Sequence, residues 1–251
     1  MEYAYLSDTG LYRKNNEDRV GVFTVSEVFT VALLLDGMGG VNGGKIASNT
    51  AYDAMATELD LRLSFLLCEG TRVTHRVIAD ILKESAEAAN RVVYERARCD
   101  SELHGMGTTL VAAVFYGKHC CILNVGDSRA YYFSSGQITQ VTKDQSYLQY
   151  LLDHDRINEE QVRNFKEKNV IMSALGTEYD LQGDLYYLSF IGDSDEYVLL
   201  CSDGLHDYVT DDFICRTVYK KKIPESIVSK LIDGANDGGG EDNISAVVIR
   251  I

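Results

Sequence analysis

The chain has 251 residues, 45% of them hydrophobic, and a formal net charge of −14. That length suits one large domain or two small ones with ample core, and the acidity argues against nucleic acid and anionic membrane as partners. No apolar run approaches a bilayer span, and the opening MEYAYLSDTG lacks the basic and apolar regions of a secretory leader, so the expected location is the cytoplasm.

In chain order, DRVGVFT and FTVALLLD read as neighbouring strands joined by a turn near Ser26 and Glu27. The spacing predicts a helix over 43–66 and another over 73–98, the second burying Val77, Ile81, Ala88 and Val92. Strands return in TTLVAAVFY, CCILNVGD, RAYYFSS and QITQVT, with a glycine-containing hairpin turn in YFSSGQIT. Residues 144–170 are polar, with helical spacing in SYLQYLLD and NEEQVRNFKEK. DLYYLSFI and DEYVLLCSD are strands again. Helices follow at about 210–221 and 224–235, the second with Pro224 in its first turn, and NISAVVIRI closes the chain as a strand. Connections between paired strands are too short for parallel crossovers, so the sheets are antiparallel and the class is α+β. With no repeat or linker, residues 1–251 read as a single domain.

Six cysteines (Cys68, Cys99, Cys120, Cys121, Cys201, Cys215) form no C-x-x-C pair and read as reduced core thiols. Five scattered histidines show no H-x-x-x-H spacing, which leaves a zinc site without support.

The stretch DGMGGVNGGK poses the sharpest question. Gly39, Gly44 and Lys45 match the phosphate-loop pattern G-x-x-x-x-G-K-[ST] up to its last letter, which is Ile46. The loop needs a Ser or Thr hydroxyl on magnesium, and Ile46 has no oxygen. Lys45 is also not followed by a βαβ pattern. The other end says more: VALLLDG is an apolar run ending in Asp36 and Gly37. The design recurs in YVLLCSDG, ending at Asp203, and in CCILNVGDS, ending at Asp127. GGGEDN places Asp242 just before the final strand, and RKNNED sets Glu17 and Asp18 before RVGVF. An Asp-Gly at one strand end is usually a turn. Five such sites suggest carboxylates gathered around a cation, because like charges repel unless neutralised. Oxygen-only ligands favour magnesium or manganese over zinc. Two such ions activate a shared water for displacement at phosphorus. Arg13, four residues before Glu17, offers a fork matched to phosphate oxygens.

These residues, taken together, resemble the metal-dependent protein phosphatases (the PPM family, type-2C serine/threonine phosphatases), and most nearly their bacterial members. The resemblance runs in order through SDTGLYRKNNED, LLLDGMGGVNGGKIAS, GMGTTLVAAVF, NVGDSRAYYF, ITQVTKDQS, VIMSALG, VLLCSDGLHD and GGGEDNISAVV. It implies a four-layer α-β-β-α sandwich, two antiparallel sheets flanked by helices, with metals at one edge. It implies hydrolysis of phosphoserine and phosphothreonine by metal-activated water. The cofactors would be two Mn2+ or Mg2+ ions, with a third in bacterial members. Asp36 would bridge two ions, the Gly37 carbonyl would bind one, and Asp203 and Asp242 would complete the other. Glu17 and Asp18 would hold water ligands, and Asp127 with Asp203 would form the third position. Asp207 falls on a further acidic position, Asn243 would support the ligands from behind, and Arg13 would bind substrate phosphate. Residues 144–170 would form a flap bordering the site. The partners would be phosphorylated proteins, with a cognate serine/threonine kinase by analogy.

The chain departs from the family at several points. Met38 stands where eukaryotic relatives often carry a His proposed as general acid. The leaving-group proton must then come from elsewhere, with His206 a candidate against a helix-start role. Val41 and Lys45 replace a frequent His and Glu, and the flap lacks a common His-Pro. None of these removes a metal ligand. The other readings are a non-catalytic binding module, which loss of Asp36, Asp203 or Asp242 would have favoured, and the phosphate-loop protein that Ile46 disfavours.

Overall fold

The computed structural model describes residues 1–40, 43–157, 161, 165, 170–192 and 195–251. Val41 and most of NEEQVRNFKEK lie outside the described residues. Twelve strands are described: β1 (Glu2–Asp8), β2 (Arg19–Val25), β3 (Phe29–Leu35), β4 (Gly37–Met38), β5 (Gly107–Thr108), β6 (Leu110–Tyr116), β7 (His119–Val125), β8 (Arg129–Ser134), β9 (Gln137–Gln140), β10 (Asp184–Ser189), β11 (Tyr197–Cys201) and β12 (Ile244–Arg250). The helices are α1 (Gly43–Cys68), α2 (His75–Cys99), α3 (Tyr147–Asp153), α4 (Asp203–His206), α5 (Asp211–Lys221) and α6 (Pro224–Asp237).

One antiparallel sheet runs β10-β7-β6-β3-β2 and the other β1-β12-β11-β8-β9; β4 and β5 form a short ribbon beside them. The apolar runs alternate between two cores, as a strand buried on both faces must. In β3, Val31, Leu33 and Leu35 face α1 and α2, while Ala32 and Leu34 face the opposite sheet. In β11, Tyr197, Leu199 and Cys201 face α5 and α6, while Val198 and Leu200 face inward. The result is helix, sheet, sheet, helix, with three cores between four layers. Hairpins are closed by Ser26 and Glu27 (φ 50° and 57°) and by Ser135 and Gly136 (φ 53° and 79°), the left-handed pairs that match strand twist.

Several sequence expectations change. β1 is a strand that no local pattern announced: it is largely exposed, and its partner β12 lies at the other end of the chain. Helix α2 starts at His75, after Thr74 caps it by accepting the Val77 N–H at 3.3 Å. Its buried stripe is Ile78, Leu82, Ala86, Ala89 and Val93. Val77 and Ile81 are only partly buried and Val92 is exposed, because two apolar stripes sit side by side and contact with α1 and the sheet selects the other one. All six cysteines are free, but only Cys120, Cys121 and Cys201 are in the core. Cys68 and Cys99 are the exposed last residues of α1 and α2.

Candidate active site

The expected carboxylates arrive at one edge of the sandwich from five strand ends. Asp36 follows β3, Asp127 follows β7, Asp203 follows β11, Asp242 precedes β12, and Glu17 and Asp18 precede β2. Their charges act on one another. Burial, then Asp18, Asp203, Asp127 and Asp242, push the Asp36 carboxyl well above the usual range. Asp18 is pushed up to about 7 by burial, with Asp203 adding to the rise and hydrogen bonds from Ser245 and Ser202 opposing it. Asp127 is likewise pushed up to about 7 by burial, then by Asp203, with His206 opposing. Asp203 rises through burial, with Asp242 and Asp207 adding and His206 opposing. Glu17 rises through burial against the Lys45 N–H and Arg13.

The supporting contacts fix these groups. The Asp36 N–H donates to Thr109 Oγ1 at 3.0 Å, and its carbonyl accepts from Thr109 N at 2.9 Å and Thr108 Oγ1 at 2.9 Å. Thr109 Oγ1 is held in turn by Ser128 Oγ at 2.8 Å. Ser202 Oγ donates to Asp18 Oδ2 at 3.0 Å and accepts the Ser245 N–H at 3.0 Å. Asn243 accepts the Glu17 N–H at 2.8 Å, and its own N–H donates to Asp242 Oδ1 at 2.8 Å. Gly37 can carry no side chain: a Cβ there would stand 2.1 Å from the Gly44 carbonyl oxygen.

Arg13 lies beside the cluster, half exposed, with Nη2 2.8 Å from Asp242 Oδ2. Asp207 is exposed, with Oδ1 3.1 Å from His206 Nδ1, an ion-pair distance off the line of a hydrogen bond. His206 is not at a helix start: it ends α4, its side chain is buried, and Nε2 sits 3.2 Å from the Asp127 carbonyl. With Asp127, Asp203 and Asp207 it lines a cleft of about 350 Å³ that Arg129, Asp144 and Ser146 also border. Larger cavities lie on the outer face of α1 and α2, away from this chemistry.

The phosphate-loop reading finds a physical answer here. The helix N-terminus after DGMGGVNGGK does hold an anion, but it is the Glu17 carboxylate, hydrogen-bonded to the Lys45 backbone N–H. The chain fills its own anion seat.

The donor set fits a hard cation. Asp18 Oδ1 and Asp203 Oδ1 are buried and lack any hydrogen-bond donor, and unpaired buried carboxylates are costly unless an ion neutralises them. Among the described residues no three His, Cys, Asp or Glu side chains form a closed cage. Ions here would take one or two carboxylates each, with carbonyl oxygen and water completing the shell, the habit of magnesium. The hydroxyls of Thr108, Thr109, Ser128, Ser202 and Ser245 were not singled out from the sequence. In sequence Ser128, Ser202 and Ser245 merely stand beside or near an aspartate, in GDS, CSD and DNIS, and Thr108 and Thr109 have none nearby.

Comparison with known proteins identifies the family. The family model for protein phosphatase 2C matches residues 13–226. The chain is 31% identical over its whole length to the serine/threonine phosphatase stp of Listeria monocytogenes, covering 96% of that protein. It is 35% identical to the serine/threonine protein phosphatase PstP of Mycobacterium tuberculosis, all of the chain aligning with 45% of that longer protein. The crystal structure of the phosphatase Stp1 from Staphylococcus aureus superposes with a TM-score of 0.90 at 32% identity, covering all of this chain and 94% of that one. A PstP catalytic domain in complex with two manganese ions superposes with a TM-score of 0.81 at 34% identity, covering 98% and 96%. With a family model spanning most of its length and a relative above 30% identity that it covers to 96%, the chain belongs to the protein phosphatase 2C family.

Proposed function

We propose that this protein hydrolyses phosphoserine and phosphothreonine in phosphorylated proteins, using manganese or magnesium held by the carboxylates of Asp36, Asp203 and Asp242. The observation that carries the reading is the convergence of carboxylates from five strand ends, two of these carboxylates with buried oxygens that no donor satisfies. The relatives named serine/threonine phosphatases, and the manganese complex of one of them, support it.

When bound, the metal ions supply Lewis acidity and a water activated at neutral pH. The chain's own residues do the rest. Asp36, fixed at its backbone by Thr108 and Thr109, would hold metal through its carboxylate. The Gly37 carbonyl would ligate one ion; it packs against Gly44, where a Cβ would stand 2.5 Å from it. Glu17 and Asp18 border the cluster as acceptors for bound water, and Asn243 keeps Glu17 and Asp242 in register. Asp127 and Asp203 share the cleft proposed for a third ion, with Asp207 at its rim. Arg13 stands at the edge as a two-point seat for a phosphate. Met38 and the engaged His206 leave the leaving-group proton to solvent or to water at the site.

Residues 1–251 are read as one phosphatase unit, with the flap at 144–170 bordering the cleft through Asp144 and Ser146. A cognate serine/threonine kinase and a cytoplasmic location fit this reading. No helix among the described residues is long and apolar enough to cross a membrane. The test is hydrolysis of p-nitrophenyl phosphate and a phosphothreonine peptide with manganese titrated. Turnover of both, lost with a chelator and regained with manganese, is expected; none with either substrate would overturn the reading.

A further inference from the structure

The polar segment that opens at Asp144 is bonded at its root to the turn that carries Asp127. The Gln145 N–H donates to the Gly126 carbonyl at 2.9 Å, and Gln145 Oε1 accepts the Gly126 N–H at 2.9 Å. One residue thus grips both polar groups of Gly126, by backbone and by side chain. Gln145 Nε2 then donates to Asp184 Oδ2 at 2.9 Å, which anchors the side chain to β10. Asn124 braces the same turn, Nδ2 donating to the carbonyls of Gly126 at 3.2 Å and Lys143 at 3.3 Å. Gly126 sits at φ +101°, and a Cβ there would stand 2.7 Å from the Thr109 side chain, so the turn has little freedom to rearrange.

The far end of the flap returns to the same place. Met172 N donates to the Gln145 carbonyl at 2.8 Å, and Tyr147 N to the Val170 carbonyl at 2.8 Å. Further on, Leu175 and Thr108 exchange backbone hydrogen bonds at 2.9 and 3.0 Å, and Thr108 Oγ1 holds the Asp36 carbonyl. The flap base is therefore a ribbon bonded on one side to the Asp127 turn and continued on the other to the peptide of Asp36.

Asp127 points into a cleft shared with Asp203 and Asp207. A carboxylate aimed at like charges holds its place only if its backbone is fixed. We propose that Gln145 is a positioning residue that clamps the Gly126–Asp127 turn to the flap base, so that the placement of Asp127 and the placement of the flap are set together. A change at the described flap base, around Gln145, Tyr147 and Met172, then acts on Asp127, and an ion at Asp127 acts back on that base. The inference rests on the phosphatase reading for Asp127's part in holding an ion; the clamp itself rests on the hydrogen bonds.

The experiment compares wild type, Gln145→Ala, and a swap carrying Gln145→Glu with Asp184→Asn. The swap keeps an acceptor for the Gly126 N–H and keeps the bond to position 184 with donor and acceptor reversed, at unchanged net charge. Amide hydrogen exchange is measured on the metal-free proteins across residues 124–128 and 143–147. Manganese binding is measured by calorimetry, and steady-state kinetics with p-nitrophenyl phosphate and a phosphothreonine peptide. For Gln145→Ala we expect exchange at Gly126 to quicken about tenfold and the weakest manganese step to weaken about tenfold, the value of one lost hydrogen bond. KM for the peptide should rise several-fold more than for p-nitrophenyl phosphate, while kcat at saturating metal changes little. The swap should return all of these to within about twofold of wild type. Unchanged exchange at Gly126, or a swap that folds yet behaves like Gln145→Ala, would overturn the clamp. If Gln145→Ala fails to fold by circular dichroism, the swap alone decides: wild-type behaviour supports the clamp, and weakened binding or loss of fold counts against it. Wild type without manganese-dependent turnover would sink the phosphatase reading and leave the exchange comparison standing.

Discussion

Asn243 Oδ1 accepts the Glu17 N–H at 2.8 Å, joining positions 226 residues apart in the chain. Its Nδ2 donates to the carbonyls of Thr9 at 2.9 Å and Asn15 at 3.0 Å, so the side chain's acceptor and donor group are both used. The N-terminal loop that carries Arg13 is held against the loop that carries Asp242 by this amide, by the Leu11 N–H donating to the Gly240 carbonyl at 2.7 Å and by the Arg13–Asp242 pair. Asn243→Asp keeps the acceptor but turns a donor toward two carbonyls into a carboxylate facing them. A loss of about 2–4 kcal/mol is expected, from two broken hydrogen bonds and a newly unpaired buried charge. Scanning calorimetry reads it as a Tm several degrees lower. A Tm within a degree of wild type would mean the loops are held by other contacts.

Asp36→Asn should remove nearly all manganese-dependent hydrolysis while leaving the fold intact. The backbone of Asp36 is fixed by Thr108 and Thr109 independently of its side chain, and the substitution opens no cavity. Activity near wild type at saturating manganese would remove Asp36 from the bridging role. A collapsed circular-dichroism spectrum would assign it a structural one.

The carboxyl shifts give a pH dependence with a definite sign. Asp18 and Asp127 are raised to about 7 in the fold, chiefly by burial, whereas in the unfolded chain they titrate near the ordinary value of about 4. Between these values the native state binds more protons than the unfolded state, so stability falls as pH rises. Metal-free protein in a chelator should therefore lose Tm steadily from about pH 4 to about pH 7 through these groups. Manganese should flatten or reverse the slope above pH 6, because the ion binds the ionised form. Asp18→Asn should stabilise the metal-free protein above pH 7 by on the order of 1–3 kcal/mol, since it removes a buried charge and leaves an acceptor for Ser202. Thermal melts at fixed ionic strength across this range check it. A metal-free Tm that rises from pH 5 to 7 would show that these carboxylates do not govern acid-range stability.

How much of this was legible in the sequence depends on range. The apolar runs of β3 and β11 announced buried strands, and Asp36 and Asp203 were fixed by where those runs stop. The antiparallel sheets followed from short connections, and the four-layer sandwich from the resemblance to the PPM family. β1 was not legible, because its exposed residues show no alternation and its partner lies near the other terminus. Nor was the buried stripe of α2, where adjacent apolar stripes offer two choices that only α1 and the sheet decide. In the site, the aspartates carried a local signal, an apolar run ended by Asp and Gly. The threonine and serine hydroxyls that fix them did not, since Thr109 meets Ser128, and Ser202 meets Asp18, only across the fold. Gln145 reads in sequence as one polar residue among many; its meaning is the Gly126 peptide it grips.

Arg13 shows the same limit and sharpens the last prediction. As a phosphate seat it would face substrate oxygens, yet its Nη2 lies 2.8 Å from Asp242 Oδ2. Arg13 is half exposed and Asp242 partly so, so the pair's own worth is small, about 0–1 kcal/mol. Arg13→Ala should still raise KM for a phosphopeptide and lower kcat/KM about ten- to a hundredfold, the loss of a charge-assisted hydrogen bond to phosphate. It should also unmask the Asp242 carboxylate, so manganese affinity should rise slightly, by up to about fivefold, rather than stay level. Arg13→Lys should recover part of kcat/KM, because an ammonium supplies charge without the planar two-point contact. Steady-state kinetics of the three proteins on one phosphopeptide, with manganese titrated in each, separate the two effects. If kcat/KM survives in Arg13→Ala while the manganese dependence moves, Arg13 serves only to neutralise Asp242, and the phosphate must be gripped elsewhere.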